Sequence, residues 1–347
     1  MRKKYFIPMV LILAFTLLIG TSDVSARVTS YAKWASSNKT LTVSSNSYGA
    51  WTTGANKWKN STNFKVSVVG GIRSNYHAND VYNSGAAWDG LATTTVSGGI
   101  ISRSQIQFNT YFTSRPQYTA AIKAGLTGHE IGHSLGLKHV SVVETSSIMH
   151  PYTLNSSGTT ARSLNPSSSD KSVVNALYLY SKALSNSETS SLTSSNQVDY
   201  VEDGVYLSPS WAVYYKDAEE LEEEADIIVR GTVEKAKGNK YNKGRPETYA
   251  TQSTLNITEV IKGNIEEDRI KIYQMGGNDG TTKVVGEHTT LLNRHDEIVI
   301  FLKETEEGDF IPINEDDSIF IYTNGGGKLK NIRSLDSLEL SVLRSGL

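Results

Sequence analysis

Apolar and polar positions alternate over residues 41–44, 63–69 and 98–112, the period of half-buried strands. Phe64, Val66 and Val68 share one face of the second stretch, and Ile106 and Phe108 share one face of the third. Between the first two stretches the period lengthens, with Trp51, Ala55 and Trp58 at helical spacing. A second helical segment is expected from near Pro116 to about Leu135. A last one is expected over residues 167–180, where Ser167, Ser168 or Ser169 can cap and Val173, Val174 and Leu177 form an apolar face. Residues 74–97, rich in Gly, Asn and Thr, read as a loop. Strands followed by packed helices predict a mixed α+β unit.

The pattern changes after that. Residues 181–196 are dominated by Ser, Thr and Asn, the composition of a linker. An acidic helix over residues 216–224 is then expected, followed by strands near 227–233, 253–261, 269–273, 297–302 and 318–322. Gly, Asn and Asp clusters separate those strands, which predicts a small β-sandwich or β-barrel. At the other end, residues 5–20 are almost all apolar, follow Arg2, Lys3 and Lys4, and precede Val24-Ser25-Ala26. This reads as a signal peptide with cleavage after Ala26, hence a secreted protein without a stable membrane anchor. The apolar run is short for a membrane span.

Composition sharpens this division. A chain of 347 residues suits two domains. It has no Cys, which excludes disulfides and thiolate metal ligands, so any metal is held by His, Asp, Glu or backbone oxygen. The formal charge of −2 conceals +9 over residues 27–185 and −13 from residue 186 onward. Such asymmetry implies different surfaces and invites intramolecular docking of the two halves. No nucleic-acid partner is expected.

The candidate chemistry sits in His129-Glu130-Ile131-Gly132-His133-Ser134-Leu135-Gly136-Leu137-Lys138-His139. Positions i and i+4 share a helix face, so His129 and His133 can present imidazoles to one point. Neutral imidazole suits Zn²⁺, and three protein ligands leave a fourth position for water. Glu130 follows the first ligand and can take the proton of that water as it attacks a carbonyl. Gly136 can adopt the left-handed conformation with which a helix stops and turns, bringing His139 back as third ligand.

This segment resembles the extended zinc motif of the metzincin metalloproteases. Ser147-Ile148-Met149-His150-Pro151-Tyr152 resembles the tight turn that places a Met beneath their metal, with Met149 as the apolar floor. Within that superfamily the chain is most similar to the matrixins: residues 31–34 and 41–42 resemble the first strand, Ala55, Trp58 and Phe64 the first helix and next strand, and Leu164, Asp170, Leu177 and Tyr178 the final helix. The resemblance implies an α+β metzincin-like catalytic domain with an active-site helix and Met-turn, followed by a smaller mainly-β domain. It implies one catalytic zinc on His129, His133 and His139, with Glu130 as general base, acting on protein or peptide substrates. The divisions expected are signal peptide 1–26, protease domain 27–182, Ser-rich linker 183–200 and acidic accessory domain 201–347.

The chain departs from the matrixin pattern in two respects. A propeptide whose Cys caps the zinc is not expected, so latency takes another route. Residues 74–97 lack the Asp/Gly/His pattern of structural zinc and calcium sites; His77 and Asp80 read as solvated loop residues and Ca²⁺ has no support. His150 is expected beside the pocket rather than on the metal. The C-terminal half faintly resembles netrin-like and other OB-type barrels, with His288 and His295 expected at the surface. Its expected role is contact with cell surface or matrix, or docking onto the catalytic half in place of the propeptide. A non-catalytic zinc-binding adhesion protein is the alternative from another class, which retention of Glu130 disfavours.

Overall fold

Sheet strands and one long helix set the frame for the histidines. The computed structural model describes residues 28–179, 202–333 and 337–338, apart from 72–73, 241, 243 and 323–328. The expected signal peptide and Ser-rich linker lie outside the described residues. Among these residues no helix is long and apolar enough to cross a membrane.

The N-terminal part alternates β1 (Asn38–Ser44), α1 (Tyr48–Lys59), β2 (Lys65–Gly70), β3 (Tyr76–Val81), β4 (Trp88–Ser97) and β5 (Ile100–Asn109). Then follow the short α2 (Thr110–Thr113), α3 (Ala120–Ser134), β6 (Tyr152–Asn155) and α4 (Ser168–Tyr178). Strands β2, β1, β3 and β5 run parallel, and β4 adds antiparallel to β5. One face of this sheet packs on α1 and α3 around Trp34, Trp51, Trp58, Phe64, Ile106, Phe108 and Ile131, all buried. This is the α+β architecture the pattern implied.

Residues 74–97 are not one loop: 76–81 form β3 and 88–97 form β4, with a loop left over 82–87. The polar side chains of β3 are satisfied between strands: the two ring nitrogens of His77 lie 3.1 Å from Thr42 Oγ1 and Ser44 Oγ, and Asp80 accepts from Ser45 Oγ and the Asn46 amide. In β4 the run Thr93-Thr94-Thr95-Val96 is β-branched and strand-forming. His77 is therefore buried in the sheet rather than solvated.

The C-terminal part begins with β7 (Gly204–Tyr214), α5 (Ala218–Glu224), β8 (Ile227–Lys240), β9 (Ala250–Lys262) and β10 (Arg269–Met275). It continues with β11 (Gly277–Asn278), β12 (Lys283–Gly286), β13 (Glu297–Glu304), β14 (Phe310–Pro312), β15 (Ile319–Tyr322), β16 (Leu329–Asn331) and β17 (Ser337–Leu338). Strands β8, β9, β10, β14 and β13 close a ring, because β14 pairs parallel with β10 and antiparallel with β13, which pairs with β8. Alternate residues such as Val229, Val233, Leu255, Ile272, Ile298 and Ile300 fill it. Three C-terminal strands leave this ring. Strand β7 adds antiparallel to β4, and β11 and β12 extend the N-terminal sheet beyond β7.

Candidate active site

Helix α3 starts at Thr119, whose hydroxyl accepts the Ile122 amide. Its second half, including His129, Glu130 and His133, is wholly buried. The helix stops after Leu135, and Gly136 takes φ +97°. A β-carbon there would lie 1.8 Å from the carbonyl oxygen of Ala32, because residues 29–32 bond across this turn (Tyr31 amide to Gly136 carbonyl, 2.8 Å; Lys138 amide to Thr29 carbonyl, 2.9 Å). Both the left-handed backbone and the close approach call for Gly. The chain then reverses and delivers His139.

The three imidazoles converge. Their Nε2 atoms are 3.0 Å (His129–His133), 3.1 Å (His133–His139) and 3.3 Å (His129–His139) apart. Zn–N bonds of ~2.0 Å at tetrahedral angles place nitrogens about 3.3 Å apart, so the triangle fits a zinc ion. Burial pushes all three imidazoles toward the neutral, metal-binding form, His133 down to about 3. The far nitrogens are steered from behind: His129 Nδ1 lies 2.7 Å from the Ile148 carbonyl and His133 Nδ1 2.9 Å from the Leu137 carbonyl. Such partners fix the tautomer that leaves Nε2 free for the metal.

Met149 is fully buried against α3, between the turns that carry His129 and His133. It reaches that place because residue 132 is Gly: a β-carbon there would meet Met149 Sδ at 2.4 Å. Asp170 holds the turn. It accepts from Ser147 Oγ (2.6 Å) and the Ile148 amide (3.2 Å) while completing the capping box of α4 with Ser167. His150 is buried, with its ring nitrogens 3.0 Å and 3.4 Å from the carbonyls of Val142 and Tyr152. It braces the turn and takes no place on the metal.

Glu130 is buried, and neither carboxylate oxygen has a protein hydrogen-bond partner. Burial drives its pKa well above the usual carboxylate range, against a lowering pull from Arg162. Arg162 is itself buried, donating to the His150 carbonyl, Thr153 Oγ1 and Ser210 Oγ.

Two residues expected to be plain surface groups are not both so. His295 is exposed, but His288 stacks on His139 with ring centroids 5.1 Å apart and planes 12° from parallel. Beside it, Glu287 accepts the His139 amide at 2.7 Å and sits 3.4 Å from His139 Nδ1. Neither neighbours the zinc motif in sequence, so ligand spacing gave no signal. Nothing in the sequence points to Arg162, Glu287 or His288 as part of the site, and Asp170 is expected there only within the final helix.

Residues 24–179 match the family model of the matrixins, peptidase family M10. Solved structures also overlap part of the chain at low identity. They include the crystal structure of myroilysin (15% identity, 42% of this chain and 86% of that one, TM-score 0.30). Another is high choriolytic enzyme 1, a hatching-enzyme zinc protease from the medaka fish Oryzias latipes (12%, 43% and 94%, TM-score 0.28). A third is the GM1-bound form of the ECX AB5 holotoxin (17%, 44% and 88%, TM-score 0.29). The comparison with curated proteins gives no match. Residues 24–179 are thus matrixin-like. The chain is a zinc metalloendopeptidase, with His129, His133 and His139 as the group that suits its catalytic zinc.

Proposed function

We propose that this protein is a secreted endopeptidase in which Glu130 is the general base and His129, His133 and His139 are the zinc ligands. The observation that carries the reading is the Nε2 triangle with a buried carboxylate, free of protein partners, one residue from the first ligand. Zinc, when bound there, supplies a Lewis acid with an open coordination position that polarises a peptide carbonyl and makes water more acidic. Glu130 takes a proton of the attacking water and returns it to the departing nitrogen, so water adds across the C–N bond and leaves a carboxylic acid and an amine. Met149 and Gly136 are supporting residues that hold the floor and the turn.

In this reading residues 1–26 are the export signal, 27–182 the protease domain, 183–200 the linker and 201–347 the accessory domain. The five-strand ring favours an OB-type reading of the last. Glu130→Gln is the test. Peptide cleavage by the zinc-loaded chain falls 10²- to 10⁴-fold while zinc content stays at that of the wild type. Cleavage within threefold of wild type overturns the assignment.

A further inference from the structure

Strand β7 fills the space between β4 and β6 beside α3. One wall is β4, paired antiparallel with β7 in a register that sets Gly90 against Ser210, Leu91 against Pro209 and Thr93 against Leu207. The other wall is β6, paired parallel, with Tyr152 against Trp211 and Leu154 against Val213. The Trp211 amide donates to the Pro151 carbonyl (2.9 Å), and the Ala212 amide donates to the Ala87 carbonyl (3.0 Å). A strand held by backbone on both edges is held as an extended peptide of almost any sequence would be.

The position of β7 relative to the chemistry follows from two contacts. Gly90 lies against the Glu130 carboxylate, since a β-carbon on it would meet Oε1 at 2.3 Å. Ser210, paired with Gly90, therefore crosses beside Glu130. Further back, the Leu207 carbonyl accepts the Glu287 amide at 2.8 Å, and Glu287 in turn holds the His139 amide. So β7 runs from the His139 side of the metal triangle to the Glu130 side.

Its side chains are seated as well. Ser210 Oγ is buried, accepting from Arg162 at 3.0 Å and lying 3.1 Å from Thr153 Oγ1. Leu207 and Trp211 are buried in one apolar cluster with Trp88, Leu91, Tyr152 and Ala161 of the N-terminal part. The seat is apolar and backbone in character, not the attraction between acidic and basic halves that the charge asymmetry suggested.

We propose that residues 204–214 are a tethered, substrate-like occupant of the catalytic cleft, which a peptide substrate must displace to reach Glu130. The proposal rests on the peptidase reading above. A tether supplies an effective concentration of about 1 mM, against substrate KM values of roughly 1 μM to 1 mM. An occupant held with a dissociation constant of ~0.1 mM, inside that range, raises apparent KM about tenfold.

Full-length, zinc-loaded chain is assayed on a quenched fluorogenic casein. Two variants loosen the strand: Trp211→Ala removes its apolar anchor, and Ala212→Pro removes the amide bonded to Ala87. Each is expected to raise kcat/KM at least tenfold, mainly through KM, with the same ratio at low and high salt. A free peptide of sequence 204–214 then inhibits the variants competitively. Folded variants with wild-type kcat/KM, or variants the peptide does not inhibit, overturn the proposal.

A second measurement needs neither activity nor a variant of the strand. In isotope-labelled Glu130→Gln chain loaded with zinc, saturating unlabelled 204–214 peptide accelerates hydrogen exchange at the Trp211 and Ala212 amides if it displaces β7. Unchanged protection overturns the proposal. A zinc-loaded wild type and variants that cleave no peptide would instead count against the peptidase reading, and exchange would still decide the fate of the strand.

Discussion

Two of the three histidines proposed as zinc ligands are steered from their own neighbourhood and the third from far away. His129 and His133 lean on main-chain carbonyls of Ile148 and Leu137, 19 and 4 positions along the chain. For His139 the partner is distant: Glu287, 148 positions away, accepts its backbone amide and lies 3.4 Å from its Nδ1, which makes no hydrogen bond, while His288 stacks on its ring. A carbonyl anchor cannot be lost by mutating a side chain, so it fails only when the backbone turn carrying it fails. A carboxylate anchor is open to a single substitution. The site therefore joins a locally determined half to a half that depends on the C-terminal segment.

The strongest way to break the local half is at the turn itself. Gly136→Ala adds strain from φ +97° and a clash with the Ala32 carbonyl. The expected loss is about 3 kcal/mol of unfolding free energy, read by urea denaturation, with zinc affinity falling in parallel. Asp170→Ala comes next. It deprives Ser147, the Ile148 amide and the α4 cap of their acceptor, and the expected cost is about 2 kcal/mol. A loss under ~0.5 kcal/mol would mean that the Met-turn holds itself.

Breaking the distant half is expected to cost less. Glu287→Gln keeps the shape but removes the charge beside His139, and should weaken zinc about tenfold in a chelator competition. An equal effect from Asp170→Ala and Glu287→Gln on zinc affinity would erase the contrast between the halves.

The smallest effect concerns pH. Glu315, which accepts the Met275 amide beneath the strand that leads to Glu287, has its pKa raised by burial to about 8. The folded chain keeps a proton that the unfolded chain releases near the ordinary value of 4.5. Stability from this group is thus complete below about pH 4.5 and declines as pH rises toward 8. Glu315→Gln should flatten that decline, leaving the urea midpoint nearly unchanged at pH 4.5 and raising it at pH 8 by the equivalent of about 1 kcal/mol. A wild-type pH slope in the variant would refute the assignment.

The zinc motif was legible because its chemistry is compressed into one helix and one turn. His129 and His133 share a face by helical period alone, Gly136 marks the stop, and Met149 follows at short range. The strands around Phe64, Ile106 and Ile298 were legible from period and apolar content in the same way. Strands β3 and β4 were not, because their polar residues look like loop until neighbouring strands supply hydroxyl and amide partners. Glu287 and His288 carry no motif at all; only chain folding brings them to His139. Nor does anything in Gly204–Tyr214 announce that it lies between β4 and β6. Sequence by itself determined that His129, His133 and His139 converge, because local geometry fixes them. Tertiary structure alone decided what leans on the third ligand and what fills the cleft, because backbone pairing between distant strands depends on position and hardly on side-chain identity.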